Sequence, residues 1–341
     1  MSATAGTPQR QDTVGRWLRI AFVRVGVLPL LLALAVVLFA FLSERFITWT
    51  NITNVLRQSS YLTIVAMGQM LVLLTGGFDL SVGTQLAVTS VVSALTMSAL
   101  HAAMPDAIWL AITLGMLAGL GAGLLIGVVN GVGVAAFNVS PFIMTLGMSS
   151  VGFGIALYLT AGMPVRGLPY DYADIFGSGG VLGLKTSVWI AAILAVLVYV
   201  VVSWTKFGRY LYAVGGNLKA AQLSGIDTRR MLFYAYALCA ALTSIAGLLL
   251  TARMETGEAN IGSSMALESI AACVIGGVSL RGGVGRLEFV ILGAIFIGVV
   301  QNGMNLARVE SYLQIVVTGL ILIGAVIADE SRRRVVARLQ D

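Results

Sequence analysis

A short polar segment interrupts an apolar stretch of the chain at residues 76–83, which read Gly-Gly-Phe-Asp-Leu-Ser-Val-Gly. Its carboxylate, Asp79, and its hydroxyl, Ser81, could hydrogen-bond a polar solute or gate its passage. An ionisable group at membrane depth is costly, which favours a functional role. The same residues also suit a structural role, because the glycines would end one helix and Asp79 would cap the next by accepting its first N–H groups. Both interpretations predict a broken helix here, and they can hold together.

Two asparagines stand in other apolar runs and could act in the same way. Asn130 and Asn302 are each followed by a glycine and carry an amide among mostly aliphatic neighbours. Such amides can bind a polar solute, and they can equally join packed helices through hydrogen bonds. We predict that Asn130 and Asn302 border a translocation pathway or gate together with Asp79 and Ser81.

The sequence makes no comparable case for catalysis or metal binding. The single histidine, His101, falls in a predicted turn, and the chain has no Gly-x-Ser-Gly segment. Cys239 and Cys273 lie in apolar stretches without a Cys-x-x-Cys spacing, so they indicate neither a disulfide nor a metal site. They are typical of small core residues. We therefore predict no catalytic residue, no metal site and no cofactor bound by this chain.

The composition indicates what must surround these polar groups. Of 341 residues, 58% are hydrophobic and only 11% are charged, and the mean hydropathy is +0.94. A soluble domain carries about 25% charged residues, so most of this surface must face lipid. The net charge of +6 comes from short basic clusters between apolar runs, which fits anionic lipid and membrane topology rather than nucleic acid.

Apolar runs approach the length of about 20 residues that a helix needs to cross the bilayer. We predict an all-α integral membrane protein with about ten transmembrane helices, some broken or short. Residues 1–26 form a polar N-terminal segment, 27–328 a single transmembrane domain and 329–341 a basic tail. The first run lacks a cleavage signal and is predicted to be a retained helix. The ten runs lie near residues 27–42, 60–75, 83–100, 107–131, 139–161, 187–204, 231–252, 265–280, 287–303 and 311–328.

The lysines and arginines predict the orientation of these helices. With both termini in the cytoplasm, the predicted cytoplasmic segments are the two termini and the loops 76–83, 131–139, 205–230 and 281–286. They contain 15 of the 21 basic residues, and the outer loops contain six. Cytoplasmic loops of membrane proteins are enriched in lysine and arginine. We therefore predict that both termini are cytoplasmic.

The fourth run has an uninterrupted stripe of glycines spaced four residues apart. This spacing places them on one face of a helix, and small residues let helix backbones approach closely in lipid. We predict a helix-packing face, and a smooth wall lining a conduit is the alternative. The stripe comprises Gly115, Gly119, Gly123, Gly127 and Gly131.

The predicted cytoplasmic loop 205–230 contains a predicted short helix. Asn217 is a favourable helix N-cap, the next six residues are helix formers, and Gly225 is a natural stop. Such an element can dock into a groove of a partner protein. The alternative is an ordinary helix resting at the lipid surface.

Four segments carry a family resemblance: GGFDLSVG at 76–83, SPFIMTLG at 140–147, TKFGRYLYAVGGNLKAAQLSGI at 205–226 and IAACVIGGVSLRGGVGR at 270–286. In this order they resemble the permeases of bacterial ribose-type, or simple-sugar, ATP-binding-cassette importers. The resemblance extends from about residue 27 to 328. It implies an inner-membrane dimer of permease subunits, identical or not, with a cytoplasmic ATPase that binds ATP and Mg and an extracytoplasmic sugar-binding protein.

Within the loop, Ala220-Ala221 followed by Gly225 is similar to the pattern through which importer permeases engage their ATPases. Lys219 stands where the commonest version has a glutamate. The resemblance implies a coupling role for this segment without defining its contacts. The coupling residues are Asn217, Lys219, Ala220, Ala221 and Gly225.

The chain has no GxxxxGK[ST] phosphate-binding loop, so the energy for transport must come from another subunit. An ion-coupled secondary transporter is the main alternative, because such proteins use carboxylates within their helices. The candidates are Asp79, Glu268 and Glu288, of which the last two stand near helix starts where the helix dipole explains them.

The sequence indicates less about the identity of the substrate than about the class of protein. The resemblance favours a pentose or hexose, while a sugar-like signalling molecule, a polyol or a nucleoside stays open. The amides and hydroxyls that could bind it are Gln69, Asn130, Asn138, Thr145, Gln301, Asn302 and Asn305.

Overall fold

A computed structural model describes the backbone of residues 28–338 and the side chains of residues 28–327. The predicted N-terminal segment, 1–26, lies outside the described residues. The α-helices of six or more residues, numbered in chain order, are α1 Leu28–Leu42, α2 Trp49–Leu74, α3 Val82–Ala103, α4 Ile108–Ala135, α5 Pro141–Thr160, α6 Thr186–Trp204, α7 Lys206–Gly216, α8 Leu218–Leu223, α9 Thr228–Met254, α10 Met265–Ile275, α11 Leu287–Leu306 and α12 Ser311–Arg338.

These helices confirm the all-α membrane class. Within the described residues, α3, α4, α5, α6, α9 and α11 are long and apolar enough to cross a membrane, and three shorter apolar helices accompany them. Each of the ten predicted runs overlaps one helix. The count of ten spans and the cytoplasmic location of the termini stay predictions.

Helix α2 begins earlier than predicted. The apolar run suggested a start near residue 60, whereas the helix starts at Trp49 and is capped by the Thr48 side chain, which accepts from the Asn51 N–H. Its first turns are polar. They can remain helical because Asn51 and Gln58 hydrogen-bond the side chains of helix α11.

The run 265–280 is a half-helix. Helix α10 has 11 residues, about 16 Å at the usual rise, which is too short to cross about 30 Å of hydrocarbon. It ends where Gly277 adopts a φ of +79°, a left-handed conformation that glycine adopts without steric cost. The chain then turns through residues 276–286 into α11.

Helix α2 forms the centre of the bundle. From residue 59 to Leu74 it is buried throughout, and helices α9, α10 and α11 pack around it. Helix α9 also packs on α3 and α4. The core therefore lies where α2 and α9 cross. The polar segment 76–83 joins α2 to α3, and both of these helices pack on α9.

A compact connection between α5 and α6 covers one end of the bundle. It contains a short turn of helix, Tyr170–Tyr172, a π-helical turn, Ala173–Ser178, and a two-stranded hairpin of β1 Gly180–Val181 and β2 Leu184–Lys185. The buried Tyr172 hydroxyl donates to the carbonyl oxygen of Leu248 at 2.6 Å. This segment was not predicted in the sequence analysis.

At the other end of the chain, helix α12 continues to Arg338. The backbone of most of the predicted tail, 329–341, is thus an extension of the last helix.

Candidate functional site

The polar segment forms a buried hydrogen-bond network around Asp79. The chain leaves helix α2 at Leu74 and begins helix α3 at Val82, so the predicted break exists. Asp79 and Ser81 are both fully buried. The Asp79 Oδ1 atom accepts from the backbone N–H of Ser81 at 2.8 Å and from its hydroxyl at 2.6 Å. This arrangement fixes the conformation of the segment immediately before helix α3.

Two side chains from the surrounding helices complete the network. Gln85 Nε2, one turn into α3, donates to Asp79 Oδ2 at 2.8 Å and to Ser81 Oγ at 2.9 Å. Asn130 Nδ2, on α4, donates to Ser81 Oγ at 2.8 Å. The structure thus brings together three of the four predicted pathway residues, Asp79, Ser81 and Asn130. It adds Gln85, which the sequence analysis missed although it lies four residues after Ser81 on the same helix face.

Gln69 holds the backbone of the same segment. The Gln69 side-chain amide is oriented so that both its nitrogen and its oxygen are hydrogen-bonded. The nitrogen donates to the Asp79 carbonyl oxygen at 3.1 Å, and the oxygen accepts from the Asp79 N–H at 3.0 Å. The network still has free capacity, because the buried Gln85 Oε1 and Asn130 Oδ1 atoms lack a hydrogen-bond donor within the described part of the chain. Buried amide oxygens are usually hydrogen-bonded, so these two acceptors are exceptions within the network.

Asn302 lies elsewhere. Its amide exchanges two hydrogen bonds with Asn51, at 2.9 and 3.0 Å. Asn51 stands in the first turn of helix α2, whereas Asp79 follows the end of that helix, roughly 35 Å further along by helical rise. Gln58 and Gln301 form a similar but longer contact, at 3.4 Å. A pathway role for Asn302 therefore stays a prediction and concerns the opposite end of the bundle.

The glycine stripe of helix α4 is filled by neighbouring helices. A Cβ added at Gly119 would lie 2.8 Å from the Thr89 carbonyl oxygen on α3, and one added at Gly127 would lie 2.9 Å from the Tyr236 carbonyl oxygen on α9. Gly115 also contacts α3, Gly131 contacts α9, and Gly123 contacts both. The glycines let α4 fit into the groove between these helices.

The predicted coupling segment is a six-residue helix, α8. The Asn217 side chain accepts from the Ala220 N–H at 3.0 Å, as expected of an N-cap. Gly225 has a φ of +79°, so the chain turns sharply after the helix. Lys219, Ala220 and Leu223 are exposed. Helix α7, immediately before it, was not predicted from the sequence, although Leu211 and Val214 on one face are buried.

Ala221 differs from its neighbours on helix α8. It is only 3% exposed and faces the rest of this chain. A substitution at Ala221 would therefore disturb the packing of the permease itself. The coupling role of Ala221 stays a prediction, and its burial indicates that it would act by anchoring helix α8 to the permease.

Helix α7 is also joined to the turn that precedes helix α11. The Tyr212 hydroxyl donates to the Gly285 carbonyl oxygen at 2.8 Å. Burial raises the pKa of Tyr212, the negative charge of Glu288 raises it further, and the positive charge of Arg286 opposes both effects. Tyr212 therefore remains a neutral hydrogen-bond donor at physiological pH.

Comparison with known proteins gives a consistent result. The family model described as "Branched-chain amino acid transport system / permease component" matches residues 51–326. The chain is 38% identical to the ribose import permease of Escherichia coli K12, over 90% of this chain and 93% of that protein. It is 35% identical to the D-allose transport system permease of E. coli K12, over 88% of this chain and 89% of that protein. For the galactose/methyl galactoside import permease of Salmonella typhimurium the identity is 33%, over 88% of this chain and 91% of that protein.

No solved structure matches the chain. The family resemblance noted in four segments of the sequence is confirmed by these matches, which extend over nearly the whole length of the relatives. The chain therefore belongs to this family of membrane-embedded permease components of transport systems.

Proposed function

We propose that this chain is the inner-membrane permease subunit of an ATP-binding-cassette importer for a monosaccharide or a sugar-like solute. The observation that carries the proposal is the 33–38% identity to the ribose, allose and galactose permeases over at least 88% of the chain. The chain itself is a transport component without an ATP-binding motif. Its partners are a second permease subunit, a cytoplasmic ATPase that holds ATP and Mg, and an extracytoplasmic sugar-binding protein.

Helix α8 is the proposed contact with the ATPase. It is short, capped at Asn217 and exposed along Lys219, Ala220 and Leu223. Its one buried residue, Ala221, anchors it to the permease. A small helix that is fixed to its own chain on one face and open on the other suits docking into a groove of a partner.

The network around Asp79 is the proposed gate. It lies at a helix break that is buried in protein, which is the setting where irregular backbone in a membrane protein is tolerated. Opening of the gate would expose Gln85 Oε1 and Asn130 Oδ1, which have no donor within the described residues and suit the hydroxyl groups of a sugar. The structural role of Asp79 is compatible with a gate. Its carboxylate holds the segment before helix α3 in the conformation seen here, and we propose that this segment moves when the gate opens.

The proposed topology has ten spans and cytoplasmic termini. Segments assigned to the cytoplasm contact one another: the Gly283 N–H donates to the Leu74 carbonyl oxygen at 2.9 Å, and Tyr212 bonds Gly285. Segments assigned to the outside also contact one another, because Val165 and Gly257 form an antiparallel bridge. Both groupings support placing the segments of each group on one side of the membrane, and the basic residues favour the side that is cytoplasmic.

A reconstituted system tests the function. The permease, its ATPase and its binding protein are placed in proteoliposomes, and the uptake of labelled ribose, allose and galactose is measured with internal ATP and no ion gradient. Uptake of one of these sugars that depends on ATP and on the binding protein is expected. Uptake that follows a sodium or proton gradient without ATP would instead establish the ion-coupled transporter.

Labelling of single cysteines tests the topology. Arg209→Cys on helix α7 should react with an impermeant maleimide only from the cytoplasmic side, and Leu182→Cys at the tip of the β1–β2 hairpin only from outside. Both positions are exposed, and the native Cys239 and Cys273 are buried and should give little background. Reaction of residue 209 from outside would overturn the orientation.

A further inference from the structure

Three glycine-containing segments meet beside helix α8, each from a different part of the chain. They are the turn after helix α2, with Gly76; the end of helix α7, with Gly215 and Gly216; and the turn between helices α10 and α11, with Gly282 and Gly283. A Cβ added at Gly282 would lie 2.7 Å from the Gly76 nitrogen and 2.9 Å from the Gly215 Cα. We call this contact the glycine junction.

The junction is a contact of backbone with backbone. A Cβ added at Gly215 would overlap the Leu74 carbonyl oxygen, and one at Gly283 would lie 2.8 Å from the Gly216 Cα. The hydrogen bond from the Gly283 N–H to the Leu74 carbonyl oxygen, at 2.9 Å, joins two of the segments. Tyr212 joins the third by donating to Gly285 at 2.8 Å. Such a contact has little freedom to yield, because no flexible side chain lies between the segments.

The junction lies between the two candidate functional elements. On one side, Gly216 is followed by Asn217, the N-cap of helix α8. On the other side, Gly76 is followed three residues later by Asp79. Tyr236 supports the intervening residues, because its hydroxyl lies 3.4 Å from the Phe78 carbonyl oxygen and directly against Gly77. The glycine junction therefore forms a packed connection between helix α8 and the Asp79 segment.

We propose that Gly215 and the glycine junction around it are positioning residues that transmit movement of helix α8 to the helix break at Asp79. This inference rests on the proposed function, since it takes α8 as the ATPase contact. Coupling between distant sites is carried by packed elements that move together. Here the packed elements are three main-chain segments whose close approach only glycine permits.

Two neighbouring glycines of helix α7 provide a matched test. Alanine usually stabilises a helix relative to glycine, so both substitutions suit the local conformation. Gly215→Ala places a methyl group against the Leu74 carbonyl, whereas a Cβ at Gly216 has nothing within 4 Å. For Gly215→Ala we expect normal insertion and normal co-purification of the ATPase, with about tenfold less solute imported per ATP hydrolysed. Gly216 contributes only backbone atoms to the junction, and its added methyl group would point away from it, so Gly216→Ala should import and hydrolyse like the unmodified protein.

Tyr212→Phe provides a second test of the proposal if Gly215→Ala does not accumulate in the membrane. Tyr212→Phe removes only the hydroxyl that bonds Gly285, and it should lower the import-to-hydrolysis ratio by about threefold, within the range of coupling changes caused by single substitutions. A purely structural role would lower the amount of folded protein without changing this ratio. An unchanged ratio in every variant that inserts would overturn the proposal.

The result also separates this inference from the proposed function. If α8 is not the ATPase contact, Leu223→Glu will leave the ATPase bound. If only the glycine junction is misassigned, Leu223→Glu will release the ATPase, while Gly215→Ala and Tyr212→Phe will retain a normal import-to-hydrolysis ratio.

Discussion

Leu223→Glu is expected to release the ATPase from the purified complex while the permease remains inserted and folded. Leu223 is 91% exposed at the end of helix α8, so the change disturbs no packing within this chain. At a docking surface, the new carboxylate would be buried without a partner. Losing a central contact of an interface costs about 2–4 kcal/mol, which corresponds to binding weaker by roughly 30- to 1000-fold. Co-purification of the two subunits measures the effect.

The β1–β2 hairpin supplies a matched control. Leu182 is 84% exposed at its tip, on the side assigned to the exterior. Leu182→Glu introduces the same charge at a similarly exposed leucine and should retain the ATPase. A wild-type ratio of ATPase to permease in the Leu223→Glu complex would show that α8 is not the contact. The turn at residues 281–286 would then become the better candidate.

Ala221 is unsuitable for this test. Because it is buried within the permease, Ala221→Glu would place a carboxylate in the chain's own packing, and Ala221→Pro would break the helix at a cost of about 3 kcal/mol. Both changes should lower the amount of folded permease. They would also lower ATPase binding, but only as a consequence.

Asp79→Ala should reduce uptake to about a tenth or less of the wild-type rate while dimer assembly stays closer to normal. The substitution removes the acceptor of three hydrogen bonds, from the Ser81 N–H, the Ser81 hydroxyl and Gln85. Hydrogen bonds to a charged group contribute about 1.5–3 kcal/mol each, but removing the buried charge offsets part of this loss. The local break should therefore lose its geometry before the bundle loses its fold. Uptake in proteoliposomes and the dimer fraction in detergent are measured on the same preparation.

Two further variants distinguish a role of Asp79 in transport from a purely structural role. Gly127→Leu places a side chain against the Ala240 Cβ in the α4–α9 contact, so it should lower folded protein and uptake together. Asp79→Asn keeps the size of the side chain but turns an amide donor toward the donors of Ser81 or Gln85, so it should resemble Asp79→Ala. If Asp79→Ala lowered assembly and uptake equally, as Gly127→Leu should, only the structural role of Asp79 would remain.

The helical runs could be located from the sequence because lipid imposes one rule along the whole chain. Backbone groups in hydrocarbon must be hydrogen-bonded within the segment, so a long apolar run becomes a helix. The break at Gly76–Asp79, the N-cap at Asn217 and the stop at Gly225 were also readable, since each depends on the local preferences of one or two residues. The four family segments, which determined the resemblance, are likewise properties of the sequence.

The features that could not be predicted from the sequence are those that depend on which helices pack against one another. Helix α2 extends back to Trp49 because α11 supplies partners for its polar first turns, and nothing near residue 49 reveals that helix. Gln85 joins Asp79 and Asn130, while Asn302 pairs with Asn51 at the other end of the bundle. The burial of Ala221 and the meeting of Gly76, Gly215 and Gly282 likewise require the packed molecule. Hydrophobicity along the chain determines which segments enter the membrane. It does not distinguish a lipid neighbour from a protein neighbour, because both are apolar. Only the tertiary structure therefore decides which helix faces pack against one another.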